Sequence, residues 1–469
     1  MESPLNYLKH RLNDNWIIGY DNYKITAIAE ELFTQIKDNK PTILLVESDP
    51  VKFIASFIAA ISAECPIFLG NPHWVQQEWQ QVFNLIQPDI IWGEINSIDI
   101  INYSAITYPK TYPKFSLNHF HNFNNFIAIP TGGTSGQIKF TIHTWETLLA
   151  SVAGFKQYFQ LSQIYSFCVL PLYHVSGLMQ FIRSFITAGT IIIIPFKTLE
   201  YQENIYKSLI SNPELNKFFI SLVPTQLQRI LQNPKLTKWL SNFATVLLGG
   251  APAWQELLAT ARRDRIPLAL TYGMTETASQ IVTLKPDDFL AGNNSCGQIL
   301  PHATLTIRNS QGEILNKNQP GIITIAAKSL ALGYYPELFA NSYFTTDDIG
   351  FLDNNGYLYI IGRNSNKIIT GGENVFPGEI EAAILSTNLV TDVCVIGLPD
   401  RHWGQAVTAI YVPSSATVSE FILKTAIAEK LSKFKQPKYW LPVENIPRNL
   451  QGKIDNQQLQ EIIDKIGRA

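Results

Sequence analysis

Short β-branched runs alternate with amphipathic stretches over the first two thirds of the chain, a pattern that restricts it to parallel strands joined by crossover helices. The expected strands run from Thr42 to Val46, Pro66 to Gly70, Asp89 to Trp92, Ser166 to Leu170, Thr190 to Pro195, Phe218 to Val223, Thr245 to Gly249 and Leu268 to Tyr272. Many lack alternation, so they should be buried on both faces. Helical spacing fills the gaps from Val51 to Ser62, Trp145 to Phe159, Ser176 to Ala188 and Ala253 to Arg263. After about Gly297 the texture changes, and Asn309-Ser310-Gln311-Gly312 and Asn318-Gln319-Pro320-Gly321 mark turns of a β subdomain expected over about 297–350. A hairpin is expected from Phe351 to Ile360, with Asn354, Asn355 and Gly356 in its turn. Beyond Arg363 a smaller α/β pattern starts. Pro377 and the carboxylates Glu379 and Glu381 open a helix, strands follow from Val390 to Leu398 and Ala406 to Val412, and a helix from Val418 to Leu431 completes it.

With 469 residues, 46% of them hydrophobic, the chain can bury a large core in more than one domain. Its 36 Lys and Arg against 38 Asp and Glu, with no basic run, remove the electrostatic case for nucleic acid. Cys65, Cys168, Cys296 and Cys394 lie far apart without metal spacing, as expected of reduced core residues in a cytoplasmic protein. Met1 to Asn6 has no charged-then-apolar pattern of a secretory signal. The most apolar region, Phe53 to Phe68, is interrupted by Ser56, Ser62, Glu64 and Pro66, short of the roughly 20 residues of a membrane span. A soluble protein acting on small molecules is the expectation.

Three glycine-bearing segments carry the chemistry. Thr131-Gly132-Gly133-Thr134-Ser135-Gly136-Gln137-Ile138-Lys139 follows the apolar run Phe126 to Pro130, and its backbone N–H groups and hydroxyls can surround a polyphosphate. It is not a Walker loop, because Gln137 follows Gly136 and the lysine comes later. Leu248-Gly249-Gly250-Ala251-Pro252 and Thr271-Tyr272-Gly273-Met274-Thr275-Glu276-Thr277 each follow an expected strand and are expected to precede a helix. Ligands collect at such strand ends, where Tyr272 could stack on a flat ring and Thr275 and Glu276 reach phosphate and metal.

With these segments assembled, the chain resembles the adenylate-forming superfamily of acyl-CoA and aryl-CoA ligases, luciferases and adenylation domains. Thr346-Asp347-Asp348 stands for the family's ribose-binding Thr-Gly-Asp, and Ile349-Gly350 favours Asp348 over Asp347 as its aspartate. Gly362-Arg363, the stretch from Gly371 to Glu381, and Pro447-Arg448-Asn449-Leu450-Gln451-Gly452-Lys453-Ile454 match further motifs in order. The resemblance implies a large α/β N-terminal domain, residues 1–364, of layered, mostly parallel sheets, and a small mobile α+β domain, residues 366–469, turning about Ser365. It implies ATP, Mg2+ and CoA as cofactor and cosubstrates. Thr131 to Gly136, Lys139, Gly250, Ala251, Pro252, Tyr272, Gly273, Met274, Thr275, Asp348, Arg363 and Lys453 would hold nucleotide. Lys453, Glu276, His174 and Thr131 would be catalytic, Glu276 the magnesium ligand, and Gly371, Gly372 and Glu373 the thiol side. Against the common pattern, Asp347 replaces a glycine, Gln137-Ile138 a Lys-Pro, and Asn366 an aspartate.

Leu170 to Leu178, Leu178 to Ser184 and Tyr272 to Gln280 are similar to the 2-succinylbenzoate–CoA ligases of menaquinone and phylloquinone biosynthesis. That resemblance implies an acid site of His174, Ser176, Gly177, Arg183, Gly249, Gly273, Thr275 and Ser279. The spectator carboxylate of such a substrate needs a cationic partner. Arg183 is the candidate, and a surface arginine is an equal reading of it. A homodimer is compatible with the resemblance. An aryl- or fatty-acyl-CoA ligase and a carrier-loading adenylation enzyme remain the alternatives.

Overall fold

The computed structural model describes residues 2–95, 125–132, 138–201, 214–370, 373–400, 403–448 and 454–466. The expected site residues Gly133, Thr134, Ser135, Gly136, Gly371, Gly372 and Lys453 lie outside them.

Two large sheets face each other across helices. One has, in spatial order, Ile17–Ile18, Ile191–Ile193, Tyr165–Cys168, Phe218–Leu222, Thr245–Leu248 and Leu268–Met274 in parallel, then Ser279–Thr283 and Gln298–Ile299 antiparallel. The other joins Ile127–Gly132, Ile67–Leu69, Ile43–Val46 and Ile90–Gly93 in parallel, with Ile138–His143, Gly333–Tyr334 and Glu337–Leu338 added antiparallel. Continuous apolar strands follow from burial on both faces. Ile43 and Leu45 point into one core and Leu44 and Val46 into another.

The layer between the sheets is built by helices Pro50–Ser62 and Val175–Ile186. Asp49 caps the first, accepting from the Lys52 N–H at 2.9 Å, and Pro50 occupies its first turn without loss of a hydrogen bond. Phe53, Phe57, Phe181 and Phe185 fill this layer, each at most 1% exposed, and burial of each side chain contributes roughly 2–3 kcal/mol.

A four-stranded antiparallel sheet of Ala303–Arg308, Gly321–Ala327, Phe344–Leu352 and Leu358–Arg363 follows. It runs past the expected limit at residue 350, because Leu358–Arg363 returns through the Asp353 to Gly356 turn to pair with Phe344–Leu352. After residues 364–367 come Ile368–Thr370, Glu373–Val375, Val390–Asp400, Gly404–Pro413 and Tyr439–Pro442 in one sheet. Helices Pro377–Leu385 and Glu420–Ile427 cover one face through Ile380, Ile384, Leu423 and Ile427. Leu459 and Ile463 of Asn456–Ile466 cover Cys394 and Ile410 on the other.

The fold differs from expectation at two hairpins. Lys139 lies in the strand Ile138–His143 rather than in a loop. Met274 is followed not by an α-helix but by one 3-10 turn, Thr275–Thr277, and a reversing strand. The reversal uses left-handed backbone at Ala278 (φ +51°) and Ser279 (φ +93°). Hydroxyls hold it, with Ser151 donating to the Ala278 carbonyl at 2.7 Å and Thr277 to the Ser279 carbonyl at 2.6 Å.

Candidate active site

The two hairpins meet. Thr131 pairs with Lys139 at the base of the glycine loop, and Thr141 in the same strand pairs with Tyr334. Tyr334 donates its hydroxyl to Glu276 Oε1 at 2.5 Å, and its ring lies 5.2 Å from Lys139 Nζ. The Glu276 carbonyl accepts from the Ala331 N–H at 2.8 Å, which fixes the turn. Glu276 is thus an 8%-exposed carboxylate whose Oε1 is held by Tyr334, the residue on whose ring Lys139 rests. Burial and the adjoining Glu276 both push the Tyr334 phenol far above its ordinary value, so it stays a donor.

His143 ties the hairpins from behind. Its Nε2 lies 2.7 Å from the Thr275 carbonyl and its Nδ1 3.0 Å from Thr147 Oγ1. Burial lowers its pKa from 6.5 to about 4, so the fold holds it neutral. The unfolded chain therefore binds a proton that the native one does not, and stability present above pH 6.5 is lost as pH falls toward 4. Between pH 7 and pH 4.5 urea unfolding should register a loss of about 2–3 kcal/mol from this residue. His143→Gln should remove that part of the drop, and an unchanged pH profile would contradict the assignment.

A second set of residues surrounds Asp348. Its Oδ2 accepts the Tyr272 hydroxyl at 2.8 Å and its Oδ1 the Arg363 Nε–H at 3.2 Å. Asp347 turns elsewhere: its carboxylate accepts both the backbone N–H (3.0 Å) and the hydroxyl of Ser365. The neighbouring aspartates are thus separated by task, one on the tyrosine and arginine, the other on the segment that connects the last two sheets. Gly249, Gly250, Ala251 and Pro252 form the turn after Thr245–Leu248, next to Thr271, whose hydroxyl donates to the Leu248 carbonyl at 3.2 Å. At Gly273 the backbone passes so close to the next strand that a Cβ would lie 2.2 Å from the Ser279 carbonyl oxygen.

Toward the interior, His174 caps the helix Val175–Ile186 with its ring 4.6 Å from that of buried Tyr173, and half-buried Ser176 and buried Gly177 follow in the first turn. Arg183 is not a surface arginine. It is 2% exposed, its Nη2 donates to Ser279 Oγ and Gln280 Oε1 at 3.1 Å each, and its guanidinium covers the Phe155 ring at 4.2 Å. Among the described residues no carboxylate pairs with it, and burial lowers its pKa to about 9. Its Nε and the Gln280 Nε2 are buried without a hydrogen-bond partner.

The remaining expected residues are less defined by their surroundings. Glu373 begins the strand Glu373–Val375, beside the outlying Gly371 and Gly372. Lys453 lies outside the described residues; of those near it in sequence, Arg448 and Ile454 bridge as antiparallel partners, and Arg448 clamps Asp392 through Nε at 2.9 Å and Nη2 at 2.7 Å. Tyr334 and His143 escaped the sequence reading, since each joins the site across the fold from a segment without a recognisable motif, and Gln280, inside the stretch Tyr272 to Gln280, was not singled out as a site residue. Among the described residues no group of three or more metal-binding side chains converges. A single carboxylate such as Glu276 fits magnesium arriving with a polyphosphate, which needs only one or two protein ligands.

The two hairpins joined at Glu276, the partnered Asp348 and the buried Arg183 are compatible with an enzyme that activates a carboxylate with a nucleotide, and the comparisons show the class. Residues 28–335 match the AMP-binding enzyme family and residues 379–453 its C-terminal domain; the chain belongs to this family. It is 33% identical over 387 residues to a 2-succinylbenzoate–CoA ligase of Geobacillus sp., covering 80% of this chain and 76% of that one. A 2-succinylbenzoate–CoA ligase of Lactococcus lactis is 29% identical, with 96% of this chain and 97% of that one covered. The fold is shared with o-succinylbenzoate CoA synthetase from Bacillus subtilis in complex with its acyl-adenylate intermediate (TM-score 0.80, 22% identity, 98% of both chains). It is also shared with ATP-bound MatB from Rhodopseudomonas palustris (TM-score 0.79, 20% identity, 99% of both chains). No helix among the described residues is long and apolar enough to cross a membrane.

Proposed function

We propose that this enzyme is an AMP-forming 2-succinylbenzoate–CoA ligase of menaquinone or phylloquinone biosynthesis, working in the cytoplasm. The observation that carries the substrate assignment is Arg183, a buried cation held by neutral Ser279 and Gln280 with its Nε unpaired. A buried charge without a counter-ion costs several kcal/mol. A substrate with a second carboxylate supplies that counter-ion, and a monocarboxylate does not.

The substrate carboxylate attacks the α-phosphorus of ATP, and pyrophosphate leaves; the CoA thiol then attacks the acyl carbon, and AMP leaves. Both steps gather negative charge on oxygens, which positioned donors and cations stabilise. Thr131 to Gly136 and Lys139 hold phosphates. Asp348 takes the ribose hydroxyls when Tyr272 and Arg363 yield them, and Tyr272, Gly273, Met274, Thr275 and Gly250 to Pro252 border the base. Glu276 would hold Mg2+ together with the phosphates, and the ion would supply neutralisation of phosphate charge. Lys453 bridges the attacking carboxylate and α-phosphate. His174, Ser176, Gly177, Gly249, Gly273, Thr275 and Ser279 enclose the acid, and Gly371, Gly372 and Glu373 border the thiol path.

Incubation with ATP, CoA and 2-succinylbenzoate should release AMP, pyrophosphate and thioester in equal amounts. Formation of ADP and phosphate would contradict the reaction class.

Residues 1–364 and 366–469 act as two bodies that turn about Ser365. Its N–H and hydroxyl are both on Asp347 here, and proline would remove the N–H and restrict rotation. Ser365→Pro should keep pyrophosphate release from the first step within about twofold while lowering thioester formation at least tenfold. Equal rates for both steps, before and after substitution, would refute the hinge.

A further inference from the structure

We propose that His302 is a specificity-determining residue that donates a hydrogen bond to the spectator carboxylate held by Arg183; this rests on the dicarboxylate reading above. His302 lies between the strands Gln298–Ile299 and Ala303–Arg308, its backbone carbonyl accepting from the Lys328 N–H at 3.1 Å. Both ring nitrogens are buried without a hydrogen-bond partner. The ring fits only because residue 154 is glycine: a Cβ there would lie 1.8 Å from Nδ1 and 2.5 Å from Cγ. Gly154 precedes Phe155, on whose ring the Arg183 guanidinium rests, so imidazole and guanidinium share one segment of the helix Trp145–Phe159.

Burial, and then the charge of Arg183, lower the His302 pKa to about 4. The ring is therefore neutral near pH 7, with one N–H to give and no acceptor for it. Arg183 Nε and Gln280 Nε2 are unsatisfied donors as well. Unsatisfied buried donors are each costly; Gln280 is bonded to Arg183, and His302 lies near enough to feel its charge, so an anionic acceptor is the group that suits this cluster. A carboxylate is planar and has two oxygens with room for several donors, which suits such a cluster.

The test compares 2-succinylbenzoate with 4-oxo-4-phenylbutanoate, the same molecule without its ring carboxylate. His302→Phe keeps the ring and removes the donor. It should raise KM for 2-succinylbenzoate about tenfold or more, leaving kcat and the KM for 4-oxo-4-phenylbutanoate nearly unchanged. Gly154→Ala, which displaces the ring, should give the same selective change and serves if His302→Phe does not fold. Equal changes for both acids, or no change for either, would overturn the role of His302. Wild-type enzyme that uses the two acids equally well would instead overturn the dicarboxylate reading.

Discussion

Lys453→Ala should lower acyl-adenylate formation by about a thousandfold while thioester formation from supplied acyl-adenylate stays within a few-fold of wild type. The step that loses its cation is the attack of one anion on another, where a positioned positive charge matters most. The second step attacks a carbonyl that already carries a good leaving group and does not need that cation. Nearby in sequence, Arg448 is held on Asp392 through Nε and Nη2 and bridges to Ile454. Pyrophosphate release and single-turnover thioester formation separate the two half-reactions. Equal loss in both would show that the lysine acts elsewhere.

Arg183→Leu should raise KM for 2-succinylbenzoate by about a hundredfold, in line with a charge-assisted pair worth 1.5–3 kcal/mol, and alter KM for 4-oxo-4-phenylbutanoate far less. Leucine is chosen because the site is 2% exposed and packed on Phe155. Removing a buried cation that has no counter-ion also removes its desolvation cost, so the unliganded variant should unfold at the same or a higher temperature. A variant that is less stable and equally impaired on both acids would mean that Arg183 serves the fold, through Ser279 and Gln280, rather than the substrate.

The layered sheets were readable because strands buried on both faces are written as continuous apolar runs, as in Ile43–Val46 and Thr245–Leu248. The returning strands were not. Ile138–His143 mixes Lys139, Thr141 and His143 with apolar residues, and Ser279–Thr283 begins in left-handed backbone that no local pattern announces. At the site, residues carried by one contiguous motif, such as Tyr272 and Glu276, could be identified directly. Tyr334, which holds Glu276 from 58 positions away, and His302, which fits against Gly154, could not, because such meetings are settled by packing. The burial of Arg183 was not legible either, since Gln180, Arg183 and Ser184 fall at helical spacing as a solvent face would. In the structure every residue from Gly177 to Phe185 is buried, because the helix lies between the two large sheets.

The most direct test of the account is ATP-dependent thioester formation with CoA on 2-succinylbenzoate, benzoate, cinnamate and a medium-chain fatty acid, compared by kcat/KM. The account predicts that 2-succinylbenzoate exceeds each of the others by at least a hundredfold, reflecting the pairing of its second carboxylate in a buried site. A monocarboxylate used as well as 2-succinylbenzoate, or better, would contradict it.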